Sequence, residues 1–173
     1  AGGIIVRRLR GTPPRYALHG PVEEIAARWP QLAASAKPVG SDAWRLTDIL
    51  AGVPALHPET AEQHVAQMLN LDQLDGISFT KGCYPGQEIV ARLHYLGNLK
   101  RRMFIGRSPA TGIVRGAAVV LASGDGQSVG DIVDAAPHPD GGSALLLVLQ
   151  TSHQEAADLR IGGIEGPALR LLR

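Results

Sequence analysis

The feature that most restricts what this chain can fold into is a change of texture near Leu99. Beyond it, short β-rich runs at residues 103–105, 117–121, 129–133, 144–149 and 168–172 alternate with turn clusters. Runs of that length bounded by turn residues are strand signals. Gly124-Asp125-Gly126 and Pro139-Asp140-Gly141-Gly142 supply the positive backbone angles that tight turns require. Ser152 and Glu155 stand at capping-box spacing, which predicts a short helix interrupting the strands. The expectation for residues 98–173 is a small antiparallel β-barrel.

The preceding stretch is patterned differently. Residues 4–9 and 15–18 are apolar-rich runs around Gly11-Thr12-Pro13-Pro14, which predicts two strands and a turn. Val22, Ile25, Ala26 and Trp29 then recur at helical spacing after Pro21, and Pro30 is expected to stop that helix. A second helix is expected over 41–51, with Ser41 as its cap and Gly52 before Pro54 as its end. Ala61, Val65, Met68 and Leu69 suggest a third helical piece. The fold class is therefore α+β: an α+β module over 1–97, then the barrel over 98–173. The junction Tyr95-Leu96-Gly97-Asn98-Leu99 is short and partly apolar, so the two parts are expected to pack together. The chain opens directly on a strand pattern without methionine, and the first module is expected to be incomplete at its N-terminus.

Charge and cysteine content narrow the function classes. A net charge of +1, with 17 basic against 16 acidic side chains, gives no field that would recruit nucleic acid or anionic lipid. With 4% aromatic residues, base stacking gets little support either, so direct nucleic-acid binding is not expected. No run approaches the ~18 apolar residues of a membrane span, and a cytoplasmic protein is expected. One cysteine excludes an internal disulfide and any multi-cysteine zinc or iron–sulfur site within the chain.

The informative stretch is Lys81-Gly82-Cys83-Tyr84-Pro85-Gly86-Gln87-Glu88, followed by residues 89–95. It reads as a loop feeding a helix that begins at Pro85 or Gly86. Ile89, Val90, Leu93 and Leu96 form its apolar face, and Glu88 and Arg92 stand at the spacing of a favourable ion pair. Cys83 then sits just before the first turn, where unpaired backbone N–H groups and the cationic Lys81 favour an anion. Gly82 and Gly86 carry no side chain and let a ligand or partner approach the sulfur. The competing reading is that Cys83 is a small packing residue and the glycines serve only a turn.

Residues 81–88 match, position by position, the signature of the folate-binding YgfZ-type family, whose pattern is Lys-Gly-Cys, an aromatic, a free position, then Gly-Gln-Glu. Gln67-Met68-Leu69-Asn70-Leu71, Gly76-Ile77-Ser78-Phe79 and Lys100-Arg101-Arg102 also resemble the family's flanks. Ala66 departs from it, standing where relatives usually carry proline. The family is related to the glycine cleavage T-protein, an aminomethyltransferase. Its members build two ferredoxin-like α+β modules and a C-terminal β-barrel around a tetrahydrofolate site, of which this chain would be the C-terminal part. The resemblance implies an accessory protein that binds folate and supports the assembly or repair of iron–sulfur enzymes, including those that modify tRNA. Cys83 and Lys81 would carry the chemistry, and Gly82, Tyr84, Gly86, Gln87 and Glu88 would frame the approach. The resemblance leaves open whether there is catalytic turnover; the alternative is a tetrahydrofolate-dependent aminomethyltransferase. One thiolate cannot hold a cluster that takes four protein ligands, so cluster contact would be shared with a partner and no metal is bound by this chain alone.

Trp44, Arg45 and Asp48 lie in the region resembling the one that approaches the pterin in T-protein relatives, and they are the candidate folate contacts. Those relatives place a glutamate nearby, where this chain has Ile49 and Leu50 beside Asp48. His94 and Asn98 complete a nominal thiol-hydrolase trio with Cys83, without any thiol-protease signature. His19, His57, His64, His138 and His153 lack metal-ligand spacing and are read as surface or loop residues. Lys100-Arg101-Arg102 is read as a solvated strand edge.

Overall fold

The computed structural model describes residues 3–172. In chain order its elements are β1 (Ile5–Leu9), β2 (Arg15–His19), α1 (Val22–Ser35), α2 (Ser41–Leu50), α3 (Gln87–Tyr95), β3 (Arg101–Ser108), β4 (Ala118–Leu121), β5 (Ser128–Pro137), β6 (Ser143–Gln150), β7 (Leu159–Ile161) and β8 (Arg170–Leu171). Short 3₁₀ turns at Pro58–Thr60, Ala66–Leu69 and Thr151–His153 fill the connections.

The organising element is β6, Ser-Ala-Leu-Leu-Leu-Val-Leu-Gln, which is buried at every residue but the last. Successive strand side chains point to opposite faces. Leu145, Leu147 and Leu149 enter one apolar cluster, while Ala144, Leu146 and Val148 enter another. A strand covered on both faces has no polar alternation, which is why its sequence is an unbroken apolar run. Six strands form an antiparallel sheet in the order β7-β4-β5-β6-β3-β8, with β6 inside it. β3 and β6 pair along their whole lengths, from Arg101 opposite Gln150 to Ser108 opposite Ser143.

Of the expected β-barrel the structure shows a curled antiparallel sheet, a half-barrel whose outer strands approach each other. A bridge joins Arg160 to Ala168, and the Leu169 N–H donates to the Leu159 carbonyl at 2.9 Å. The inner cluster holds Val119, Val129, Ile132, Leu159, Ile161 and Leu169 beside the β6 leucines. On the outer face, Met103, Val133, Ala136, Leu146 and Val148 pack against Ile49 of α2, with Leu46, Met68 and Leu69 around them. Fully burying one such side chain contributes about 1.5–3 kcal/mol, and Ile49 is completely inaccessible. The helical layer is thus fastened to the sheet by an apolar junction and not by a tether.

Several sequence expectations are corrected. Pro30 does not stop α1, which runs on to Ser35. Proline removes one internal hydrogen bond, and the following Gln31, Leu32, Ala33 and Ala34 are helix formers that continue the turn. Ser41 is the first residue of α2 rather than its cap; Gly40 holds the cap position without a side-chain bond. The end at Gly52 is as expected, with φ +65°. The third helical piece is only 3₁₀ turns, and so is the expected helix after Ser152, where no side-chain cap bond forms. β7 was not foreseen, because three residues give no periodicity. α3 starts at Gln87, and its expected apolar face is only partly covered: Val90 and Leu93 are half-buried, Ile89 and Leu96 exposed.

β1 and β2 form a separate two-stranded hairpin, with Ile5 opposite His19 through Leu9 opposite Arg15. No residue of α1 is buried; Val22 and Trp29 are largely exposed. Among the described residues no helix is long and apolar enough to cross a membrane.

Candidate functional site

The residues 78–87 fold into an open loop held at both ends by side-chain bonds. The Lys81 N–H donates to Ser78 Oγ at 3.2 Å. At the other end, the Tyr84 N–H donates to Gln87 Oε1 and the Gln87 N–H donates back to the Tyr84 carbonyl, both at 3.3 Å. This reciprocal pair closes the turn over Pro85 and Gly86 and gives Gln87 a structural task. Gly86 is the N-cap of α3 with φ +81°, a left-handed conformation that glycine adopts without strain. The helix consequently begins one or two residues later than the sequence suggested.

Cys83 is an exposed free thiol four residues before Gln87. A Cβ built on Gly82 or Gly86 would meet nothing within 4 Å, so neither flank obstructs the sulfur. Lys81 Nζ lies 4.4 Å from the centre of the Tyr84 ring, a cation–π distance that places its charge on the same short loop. Glu88 and Arg92 are both exposed and form no ion pair among the described residues. His94 stacks on Phe79 with ring centres 3.7 Å apart and meets Tyr95 edge-on at 4.6 Å. That stacking is the contact found for His94, and no hydrogen bond ties it or Asn98 to Cys83.

Trp44, Arg45 and Asp48 share α2, and each already has a neighbour in the fold. Asp48 Oδ1 accepts a hydrogen bond from Arg15 Nη1, which also donates to Thr47 Oγ1 at 3.0 Å. The Arg15 guanidinium lies 5.2 Å from the centre of the Trp44 ring. Arg45 is 3.4 Å from Asp42 on the same helix. A pterin needs a carboxylate free to accept its N–H groups, and here Asp48 already serves a buried arginine.

The polar network that the sequence did not reveal lies between the loops and the sheet. Arg102, expected on a solvated edge, forks onto Asp72 with bonds of 2.8 and 2.9 Å and reaches the Gln67 carbonyl and Asn70 Oδ1, each at 3.3 Å. The Gln67 amide donates to the Val90 carbonyl at 2.7 Å, fastening α3 to this network. Burial by itself would raise the Asp72 pKa, but the Arg102 hydrogen bonds and charge, with the Asp72 and Gln73 backbone N–H groups, together hold its carboxyl below the ordinary range. A depressed carboxyl stabilises the fold above its unfolded pKa of about 3.9 and loses that contribution as pH falls through the folded value. The stability gap between the native protein and Asp72→Asn, read from urea unfolding, should therefore be larger near pH ~7 than near pH ~3. An equal gap at both would show that the Arg102 pairing does not stabilise the fold through the Asp72 charge.

Three of the histidines read as surface or loop residues do lie in loops, but their side chains are largely buried. His57 Nε2 lies 3.1 Å from Asp134 Oδ2, and Arg115 Nε donates to Asp134 Oδ1 at 2.8 Å. Asp134 is 3% exposed and His64 4%, and His138 is largely buried as well. His64 Nε2 and Asp131 Oδ2 are 2.8 Å apart, yet neither atom has a hydrogen bond of acceptable geometry. The signal available in the sequence was Asp131 and Asp134 inside an otherwise apolar strand. A carboxylate there requires a partner. Among the described residues no group of three or more His, Cys, Asp or Glu side chains could hold a metal ion.

A curled antiparallel sheet backed by helices, with one exposed thiol on a glycine-flanked loop, defines a mixed α/β protein that presents a single sulfur. No family model matches the chain. It is 45% identical over 96 residues to the tRNA-modifying protein YgfZ of Colwellia psychrerythraea, covering 56% of this chain and 29% of that one. Its Photobacterium profundum counterpart is 38% identical over 123 residues, 70% of this chain and 37% of the relative. The Edwardsiella ictaluri protein of the same name is 35% identical over 151 residues, 86% of this chain and 46% of the relative. The chain belongs to the YgfZ family. It spans less than half the length of these three relatives.

Proposed function

We propose that this chain is part of an accessory protein that supports tRNA modification by helping to assemble or repair iron–sulfur enzymes, with Cys83 as the acting group. The observation that carries this reading is the open, exposed setting of Cys83 between two unobstructed glycines on a loop braced by Gln87. The relatives' name, tRNA-modifying protein, supports the link to tRNA modification. Lys81 keeps a positive charge on the same loop as the sulfur. A single thiolate supplies one soft ligand or one nucleophile, so its counterpart is an iron–sulfur enzyme or assembly protein that brings the remaining ligands. An exposed loop with glycine at 82 and 86 suits such protein-to-protein contact. The cytoplasm, where lone thiols stay reduced, is the matching compartment.

Folate binding is part of the proposal by family resemblance, as is a T-protein-like arrangement in which a ferredoxin-like module adjoins the sheet. α2 would contribute one edge of such a site, through the open face of Trp44, and the remaining walls would come from other parts of the full-length protein. The aminomethyltransferase alternative is not favoured, because Asp48 is committed to Arg15. The test is expression of the full-length protein in a bacterium lacking its own YgfZ, with modified tRNA nucleosides measured by mass spectrometry. Restored modification supports the proposal. Unrestored modification with a folded, expressed protein overturns it.

A further inference from the structure

Two stretches that the sequence sets apart, residues 67–71 and 100–102, have no part in the Cys83 loop itself, yet the structure joins them beside α3. The 3₁₀ turn Ala66–Leu69 is fixed to β3 at both ends: Asn70 Nδ2 donates to the Met103 carbonyl at 2.8 Å, and Arg102 Nη1 to the Gln67 carbonyl at 3.3 Å. From this anchored turn the Gln67 side chain reaches α3, its amide donating to the Val90 carbonyl at 2.7 Å. Gln87 and His94 of α3 instead turn back to the loop that precedes the helix, onto Tyr84 and Phe79. The Cys83 loop and α3 therefore form one piece, and Gln67 ties that piece to the sheet. The tie leaves one atom unsatisfied: Gln67 is 3% exposed, and its Oε1 has no hydrogen-bond partner among the described residues. A buried acceptor left unpaired destabilises a fold by about as much as one hydrogen bond stabilises it, or more. Stability thus gives no reason to prefer a carboxamide here over an apolar side chain of the same length.

We infer that Gln67 is a positioning residue for Cys83, acting through α3: its amide holds the helix, and with it the loop closed by Gln87, at a fixed place relative to β3. The inference rests on the role proposed for the thiol and goes beyond it by naming what fixes the direction from which the sulfur is met. A single sulfur that must meet ligands brought by another protein gains from being held, since a misplacement of about 1 Å can cost about a hundredfold in rate. Ile89 and Leu96 are exposed, so apolar cover does not hold that side of the helix and the hydrogen bond from Gln67 carries more of the task.

The experiment uses Gln67→Met, which keeps the length of the side chain and removes both the amide donor and the orphaned oxygen, with Gln67→Leu as a second variant should the first fail to fold. In the full-length protein, with any cysteine outside this chain replaced by serine, nitroxide labels are placed on Cys83 and on Gln127→Cys, an exposed position just before β5. Pulsed electron spin resonance then reads the distance from the thiol to the sheet. The parent should give a narrow distribution and either variant one about twice as broad or more, while the urea midpoint stays within about 0.3 M of the parent. Unlabelled, the same variants should support tRNA modification at about one fifth of the parent level or less. An unchanged distance distribution in a folded variant overturns the inference, and so does a broadened one with full activity where Cys83→Ser is inactive. A larger fall in the urea midpoint shows Gln67 to act on stability alone and overturns it too. Parent-level activity of Cys83→Ser counts instead against the role proposed for the thiol, and the distance distributions then decide the positioning by themselves.

Discussion

Replacing Cys83 by serine should abolish the support of tRNA modification while leaving the fold and thermal stability within about 0.5 kcal/mol of the parent. The side chain is exposed and unpaired, so exchanging sulfur for oxygen removes no packing. What it removes is reactivity: a serine hydroxyl stays protonated at neutral pH and is a poor ligand for soft metals. The full-length protein carrying Cys83→Ser should behave like an empty vector in the modification assay. In the parent, iodoacetamide should label Cys83 in the native state about as fast as in urea, since neither flank blocks the sulfur. Gln87→Ala should retain a measurable share of the activity, because it loosens the turn without deleting the thiol. Full activity of the serine variant would remove Cys83 from the mechanism and return the loop to a structural role.

The largest stability effect is expected at Asp134. Its two carboxylate oxygens serve His57 and Arg115, with its neighbour Ala135 donating a backbone N–H at 2.9 Å. Removing one partner of a buried pair leaves the other charge uncompensated, at a cost on the order of 3–5 kcal/mol. Asp134→Ala should therefore unfold at much lower urea, with an unchanged denaturant slope. Asp134→Asn should lose less, because an amide oxygen still accepts from Arg115 and from the backbone. A loss below about 1 kcal/mol for the alanine variant would mean that the cluster behaves as a surface ion pair.

What could be read beforehand followed the physics of each signal. β6 was legible because a doubly covered strand advertises itself as an apolar run, and Gly52 because a helix end needs a positive φ. That Cys83 stands on a loop ahead of a helix was legible from the glycines around it and the helical spacing that follows. Arg102 was misread: its pairing with Asp72 joins residues 30 apart in sequence, and no local pattern encodes that distance. The same holds for Arg15, which alternation alone places on a strand but whose burial depends on Asp48 and Trp44 arriving from α2. Pro30 was misread for the opposite reason. A strong local rule was applied where the lost hydrogen bond is only one of many in a 14-residue helix. Ile89 and Leu96 show that spacing identifies a helical stripe without saying what, if anything, covers it.

β6 also decides how this molecule comes apart. Leu145, Leu147 and Leu149 belong to the interior of the curled sheet, and Leu146 and Val148 to the contact with α2, yet all five are adjacent on one backbone. Fraying of the strand from either side strips apolar cover from the other. The helical backing and the sheet therefore lack independent melting transitions, and partial opening that spares one while releasing the other has no low-energy route. Amide hydrogens along Ala144–Leu149 should therefore be among the slowest in the protein to exchange with solvent, slower than those of the exposed loop that displays Cys83.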